Sequence, residues 1–219
     1  MSKYNLLQYL DKSNTIIMEQ YPIIIIKNAL PHNLYEELLN NYPSISDCFK
    51  HDPKNHKIMI PNTIYEINCL ESFECFSDKF KTFIEFHTSE NFSNEIVKIF
   101  KTFPENNNKM FKIDCFAGYN SPVIQKLNNN NDDKYSGDYI GLYFLRKDND
   151  NSKGGSIEFY DNNNDNNKTS SKILTIPYQK NCFILFKKSK NLICKWTDIE
   201  PTLHCRRIIK IVSNCVKSV

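Results

Sequence analysis

The chain holds 219 residues, of which 40% are hydrophobic, 13% aromatic and 24% charged. That is enough apolar material for one buried core, and it excludes collagen, coiled coil and wholesale disorder. The 28 Lys and Arg against 25 Asp and Glu leave a formal charge of only +3, spread along the chain, which excludes the concentrated basic footprint of a nucleic-acid binder.

The N-terminus, MSKYNLLQYLDK, lacks a cleavable apolar core, and the longest apolar run, Ile23 to Ile26, is far short of the ~20 residues a membrane helix needs. The expectation is an intracellular, cytoplasmic protein with no membrane partner. Its 8 cysteines contain no C-x-x-C pair or zinc-finger spacing, so they are expected as reduced, mostly buried thiols.

The β-branched run Ile23 to Ile26 suits a buried strand. Leu34, Leu38, Leu39 and Tyr42 then recur at helical spacing, with Asn33 as a candidate N-cap and Pro43 as a stop. A second helix is expected around Phe76, Phe80, Phe83, Ile84 and His87, its aromatic stripe reading as core. In a third, Ser93 can cap and Ile96, Ile99, Phe100 and Phe103 form the apolar face. Asparagine tracts at 106–108, 128–131 and 162–167 read as loops, since Asn competes with its own backbone in turns.

After Pro104 the hydrophobic period changes to two. Strands are expected at Met110 to Ala117, Tyr139 to Leu145, Ser156 to Tyr160, Ile173 to Ile176, Cys182 to Phe186, Leu192 to Trp196 and Arg206 to Val212. Helices first and a sandwich or barrel second make an α+β fold. The division is 1–108, a helical layer with an early strand, and 109–219, the β core, together one compact domain.

The most specific pattern is Tyr139-Ile140-Gly141-Leu142-Tyr143-Phe144-Leu145-Arg146, a short acidic loop, then Gly154-Gly155-Ser156-Ile157-Glu158-Phe159-Tyr160. It resembles the double-stranded β-helix (jelly-roll) core of the Fe(II)/2-oxoglutarate-dependent dioxygenases, and within them a phage and cyanobacterial branch described only as oxygenases. The similarity also takes in Ile23 to Pro31, Leu34 to Leu38, Phe83 to Ser89, Asn120 to Val123, Pro177 to Phe186 and Arg206 to Val212.

The resemblance implies an iron held by two histidines and a carboxylate, a donor set that leaves positions open for 2-oxoglutarate and oxygen. The expected H-x-D step falls on Asn131-Asp132-Asp133, and the second histidine position falls on Cys194. Asp133 is thus the one retained candidate metal ligand, with Asn131 and Cys194 degenerate. No histidine occurs between His87 and His204. His204 reads as a strand-end residue, His87 as a packed side chain, and His51 and His56 as members of a solvated loop.

The family's distal carboxylate meets an arginine of the last strand in a two-pronged salt bridge, which places Arg206 and Arg207 as candidate cofactor-binding residues. Neighbouring strand residues face opposite sides, so one of the two points inward. The cluster Lys187-Lys188-Ser189-Lys190 reads as a solvated loop. No G-x-S-x-G elbow, H-E-x-x-H, P-loop or dinucleotide motif is present.

The expectation is therefore an oxygenase-fold protein with a degenerate metal triad, binding a small carboxylate or a protein partner without iron-dependent turnover. 2-Oxoglutarate is the candidate cofactor and Fe(II) is doubtful. The alternatives are an active hydroxylase with unusual ligands such as Asp133 and His204, and a structural or virion-type interaction protein.

Overall fold

The computed structural model describes residues 2–8, 10, 15–18, 21–43, 64–69, 73–100, 109–120, 139–161, 170–189, 191–200, 202 and 204–217. Strands β1 (Thr15–Met18) and β2 (Ile23–Lys27) precede helix α1 (His32–Asn40). Strand β3 (Ile64–Asn68), a 3-10 turn (Phe73–Cys75) and helices α2 (Asp78–His87) and α3 (Glu90–Phe100) follow. The remainder is β4 (Lys109–Asn120), β5 (Tyr139–Phe144), β6 (Ile157–Asp161), β7 (Ser171–Ile176), β8 (Cys182–Lys187), β9 (Leu192–Trp196) and β10 (Arg206–Lys217).

All seven strands expected after Pro104 are present, several of them longer. β1 and β3 were not foreseen. All three Asn tracts lie outside the described residues.

Two helix starts differ from expectation. α1 begins directly after Pro31, whose fixed φ suits a helix entrance, and no side chain caps it, so Asn33 lies inside the first turn. α3 begins at Glu90, where Ser89 Oγ accepts from the Phe92 amide at 3.4 Å; Ser93 is buried within the helix and turns its hydroxyl to the Ser89 carbonyl. Ser77 caps α2 by accepting from the Phe80 amide.

Among the described residues the strands form two antiparallel sheets, one of seven strands in the order β1-β2-β8-β5-β10-β4-β3 and one of three in the order β7-β6-β9. From β5 onward the chain alternates between them: β5 in the larger, β6 and β7 in the smaller, β8 in the larger, β9 in the smaller, β10 in the larger. With the described helices α1, α2 and α3 packed on the larger sheet, the fold is α+β.

Strand alternation divides the interior. Ile24, Ile26, Tyr143, Phe183, Leu185, Ile209 and Ile211 pack with Leu34, Leu38, Phe80, Phe83 and Ile96 of the helices. Ile23, Ile25, Leu142, Phe144, Ile184 and Ile208 face the smaller sheet and meet Ile157, Phe159 and Leu192. All four isoleucines 23–26 are at most 2% exposed because β2 is covered on both faces; each such burial is worth about 1.5–3 kcal/mol. The expected aromatic stripe is core, and Phe83 stacks on Tyr143 at 6.2 Å.

His87, fully buried at the end of α2, is part of that core. Its Nδ1 lies 2.8 Å from the Phe83 carbonyl, and its Nε2 accepts from the Leu6 amide at 3.4 Å. The first contact needs Nδ1 protonated and the second needs Nε2 bare, which defines one neutral tautomer. Burial holds the ring far below the ordinary histidine range, at about 3. Among the described residues, no helix is long and apolar enough to cross a membrane.

Candidate functional site

The last strand resolves the arginine pair. Arg206 shares a face with Ile208, which packs between the two sheets, while Arg207 shares a face with Ile209 and Ile211, which pack on the helical layer. Arg206 is 1% exposed, among the largest fully buried side chains of the protein. Arg207 is half-buried, and its amide donates to the Tyr178 hydroxyl at 3.0 Å.

The guanidinium of Arg206 lies over the ring of Tyr178, with Cζ 4.5 Å from the centroid. Nη1 donates to the Gly155 carbonyl at 3.0 Å. Nη2 reaches the Gly154 carbonyl at 2.7 Å, the Lys153 carbonyl at 3.2 Å and Ser152 Oγ at 3.3 Å. Nε is buried without a hydrogen-bond partner among the described residues. Burial pulls this guanidinium below its ordinary range, an effect opposed by Tyr178 and Asp150, but an arginine remains a cation at neutral pH.

The residues that position this cation escaped the sequence reading. Arg146, at the end of β5, donates to the carbonyls of Asp150, Ser152 and Tyr178, and its Cζ lies 5.5 Å from the Tyr178 ring centroid. Asp150, buried at 7% exposure, accepts the Ser152 amide on Oδ1 at 2.9 Å. Residues 146–155 are therefore gripped by two arginines that share one tyrosine. The double glycine was the signal that could have found this turn: Gly154 and Gly155 have φ of +74° and +57°, conformations that L side chains rarely adopt.

The turn is also tied to the segment after β9. Gly155 N donates to the Asp198 carbonyl at 2.9 Å, Thr197 N to the Ser156 carbonyl at 2.8 Å, and Glu200 N to the Lys153 carbonyl at 3.2 Å. Ser156 N donates to Thr197 Oγ1 at 2.8 Å.

Cys194 sits in β9 opposite Phe159 and packs against the inter-sheet core. Burial pushes its thiol up to about 12. Asn131 and Asp133 lie outside the described residues, as do His51 and His56. His204 is half-buried just before β10, where its amide donates to Thr202 Oγ1. Among the described residues no group of three His, Cys, Asp or Glu side chains could hold a metal ion. Cys194 offers a soft sulfur where the resemblance implies an imidazole, and Arg206 has both terminal nitrogens engaged by residues 152–155.

Solved structures match along most of the chain. A prolyl 4-hydroxylase from Phytophthora capsici is 12% identical with a TM-score of 0.53, over 98% of this chain and 63% of that one, so this chain spans less than two thirds of its length. The Bacillus thuringiensis protein IDO is 13% identical with a TM-score of 0.51, over 89% of this chain and 90% of that one. The Trichoplax adhaerens prolyl hydroxylase, solved with a peptide of the hypoxia inducible factor oxygen degradation domain, is 12% identical with a TM-score of 0.49, over 97% and 88%. No protein-family model and no curated protein matches the chain. At such identities the likeness is one of fold alone.

Proposed function

We propose that this protein keeps the double-stranded β-helix of the oxygenases and works by binding a small carboxylate or a protein partner, without iron-dependent turnover. The alternation of β5 to β10 between two antiparallel sheets supports the jelly-roll reading. Of the three metal positions, Asn131 and Cys194 stand where the resemblance implies histidines, and Asp133 keeps the carboxylate. The observation that carries the proposal is the residue at position 194: where the resemblance implies an imidazole, this chain has a cysteine packed against the inter-sheet core. Loss of even an indirect partner of a metal ligand costs about 10- to 100-fold in affinity or activity, and replacement of two imidazoles costs more.

The test is anaerobic titration of the purified chain with Fe(II) and 2-oxoglutarate, followed by the metal-to-ligand charge-transfer absorption. The expected result is no band. A band would overturn the proposal in favour of a hydroxylase with unusual ligands, and variants at Asp133 and His204 would then identify them.

A further inference from the structure

A buried cation ordinarily has an anion beside it, because removing a charge from water is costly unless it is paired and hydrogen-bonded. Arg206 has no carboxylate within hydrogen-bond distance among the described residues; its partners are three backbone carbonyls and one hydroxyl of residues 152–155. The nearest counter-charge in its surroundings, Asp150, turns Oδ1 to the Ser152 amide instead.

Consecutive carbonyls meet the two terminal nitrogens, Gly155 O on Nη1 and Gly154 O on Nη2. Two oxygens facing two nitrogens of a planar fork is the pattern a bidentate carboxylate makes. We infer that the Ser152–Gly155 turn is a built-in occupant of the Arg206 fork, its carbonyls standing where the oxygens of a bound carboxylate would otherwise lie. The inference deepens the proposed function and rests on it, since it withdraws this fork from any small acid and leaves recognition to other surfaces.

The glycine pair makes this occupancy possible. A Cβ on Gly155 would lie 1.7 Å from Arg206 Nη1, and one on Gly154 would lie 2.1 Å from the Asp198 carbonyl. With no side chains, the turn closes against the guanidinium on one side and the 197–200 segment on the other. The bonds of that segment to Ser156, Gly155 and Lys153 hold it there. The turn is a fixed part of the fold, not a mobile lid.

The experiment is side-chain NMR of the full chain, isotope-labelled at arginine, without ligand and then with millimolar 2-oxoglutarate or succinate. A guanidinium held on both terminal nitrogens rotates slowly about its Cζ–Nη bonds and keeps separate, exchange-protected Nη protons. Arg146 lies over the same ring with both terminal nitrogens held, so two such sets with contacts to the Tyr178 ring are expected, of which Arg206→Lys removes one, and that one is unmoved by either acid. Should that variant not fold, contacts to the Gly155 α-protons, which lie against Nη1, assign the Arg206 set in the wild type. Averaged, unprotected Nη protons in the free protein would overturn the inference, as would signals shifted by either acid. The two proposals fail separately: a charge-transfer band with unmoved Nη protons removes only the non-oxidising function, whereas acid-shifted Nη protons without a band remove only the built-in occupant.

Discussion

At the scale of single residues, Arg206 and Gly155 are one device read from two ends. Replacing Arg206 by Met keeps the bulk over Tyr178 but leaves the carbonyls of Lys153, Gly154 and Gly155 without their cation. Hydrogen bonds to a charged group are worth about 1.5–3 kcal/mol each, and part of the loss is recovered by removing a buried charge. The expected net cost is about 3 kcal/mol, measured by urea unfolding. Gly155→Ala attacks the same contact from the turn, adding strain at a φ of +57° to a collision with Nη1. It is expected to cost at least as much, and the double variant to cost less than the sum of the two, since both break one interaction. Strict additivity would mean that the turn and the arginine are independent.

At the scale of elements, the helical layer is tied to the N-terminal segment by titratable groups on its helices, two of which have shifted acidity. His87 on α2 accepts the Leu6 amide. Glu37 on α1 accepts the Tyr4 hydroxyl and pairs with Lys3 and Lys79, and the Tyr4 hydroxyl and Lys79 chiefly hold its carboxyl down at about 2. Both folded values are depressed, so the folded state binds fewer protons than the unfolded chain and stability falls on acidification. The windows differ. His87 contributes stability that is present above its ordinary value of 6.5 and lost as pH falls toward 3, whereas Glu37 acts between 4.5 and 2. Between pH 7 and pH 5 the histidine dominates, at about 1.4 kcal/mol per pH unit once below 6.5, or about 2 kcal/mol in all. Urea melts at the two pH values should show this loss in the wild type and a flatter dependence in His87→Gln. An unchanged slope in the variant would place the titration elsewhere.

The sequence carried the elements further than the site. Period-two strands such as Leu192–Trp196 and the isoleucine run of β2 were legible because burial on one or both faces writes itself into alternation. His87 was legible as a packed residue, since it recurs at helical spacing with Phe80, Phe83 and Ile84. The helix starts at Asn33 and Ser93 were misplaced by a residue or more, because proline geometry and Ser89 compete for the same role. The site was read through the metal positions and the arginine pair, so what surrounds Arg206 went unseen. Arg146, Tyr178 and the carbonyls of residues 152–155 converge only through the sheet crossings, and backbone carbonyls have no sequence signature at all.

At the scale of the whole molecule, the seven-stranded sheet is the wall between two cores. Each of β2, β5, β8 and β10 gives alternate residues to both, as when Phe183 and Leu185 pack under the helices while Ile184 and Phe186 face β6 and β9. The sheet also joins strands from both halves of the chain, β2 pairing with β8 and β3 with β4. Neither core can come apart without exposing the back of the other, so the division at residue 108 is expected to be one of pattern and not of stability. The single tryptophan, Trp196, packs against the inter-sheet core beside Phe144, whereas far-UV circular dichroism at the helical minimum reports α1, α2 and α3. Tryptophan fluorescence and circular dichroism should therefore trace one coincident urea transition, the mark of a two-state domain. His87→Gln, although it lies on the helical side, should shift both midpoints together. A helical transition that precedes the tryptophan signal would show two independently stable units, with the shared sheet transmitting nothing between them.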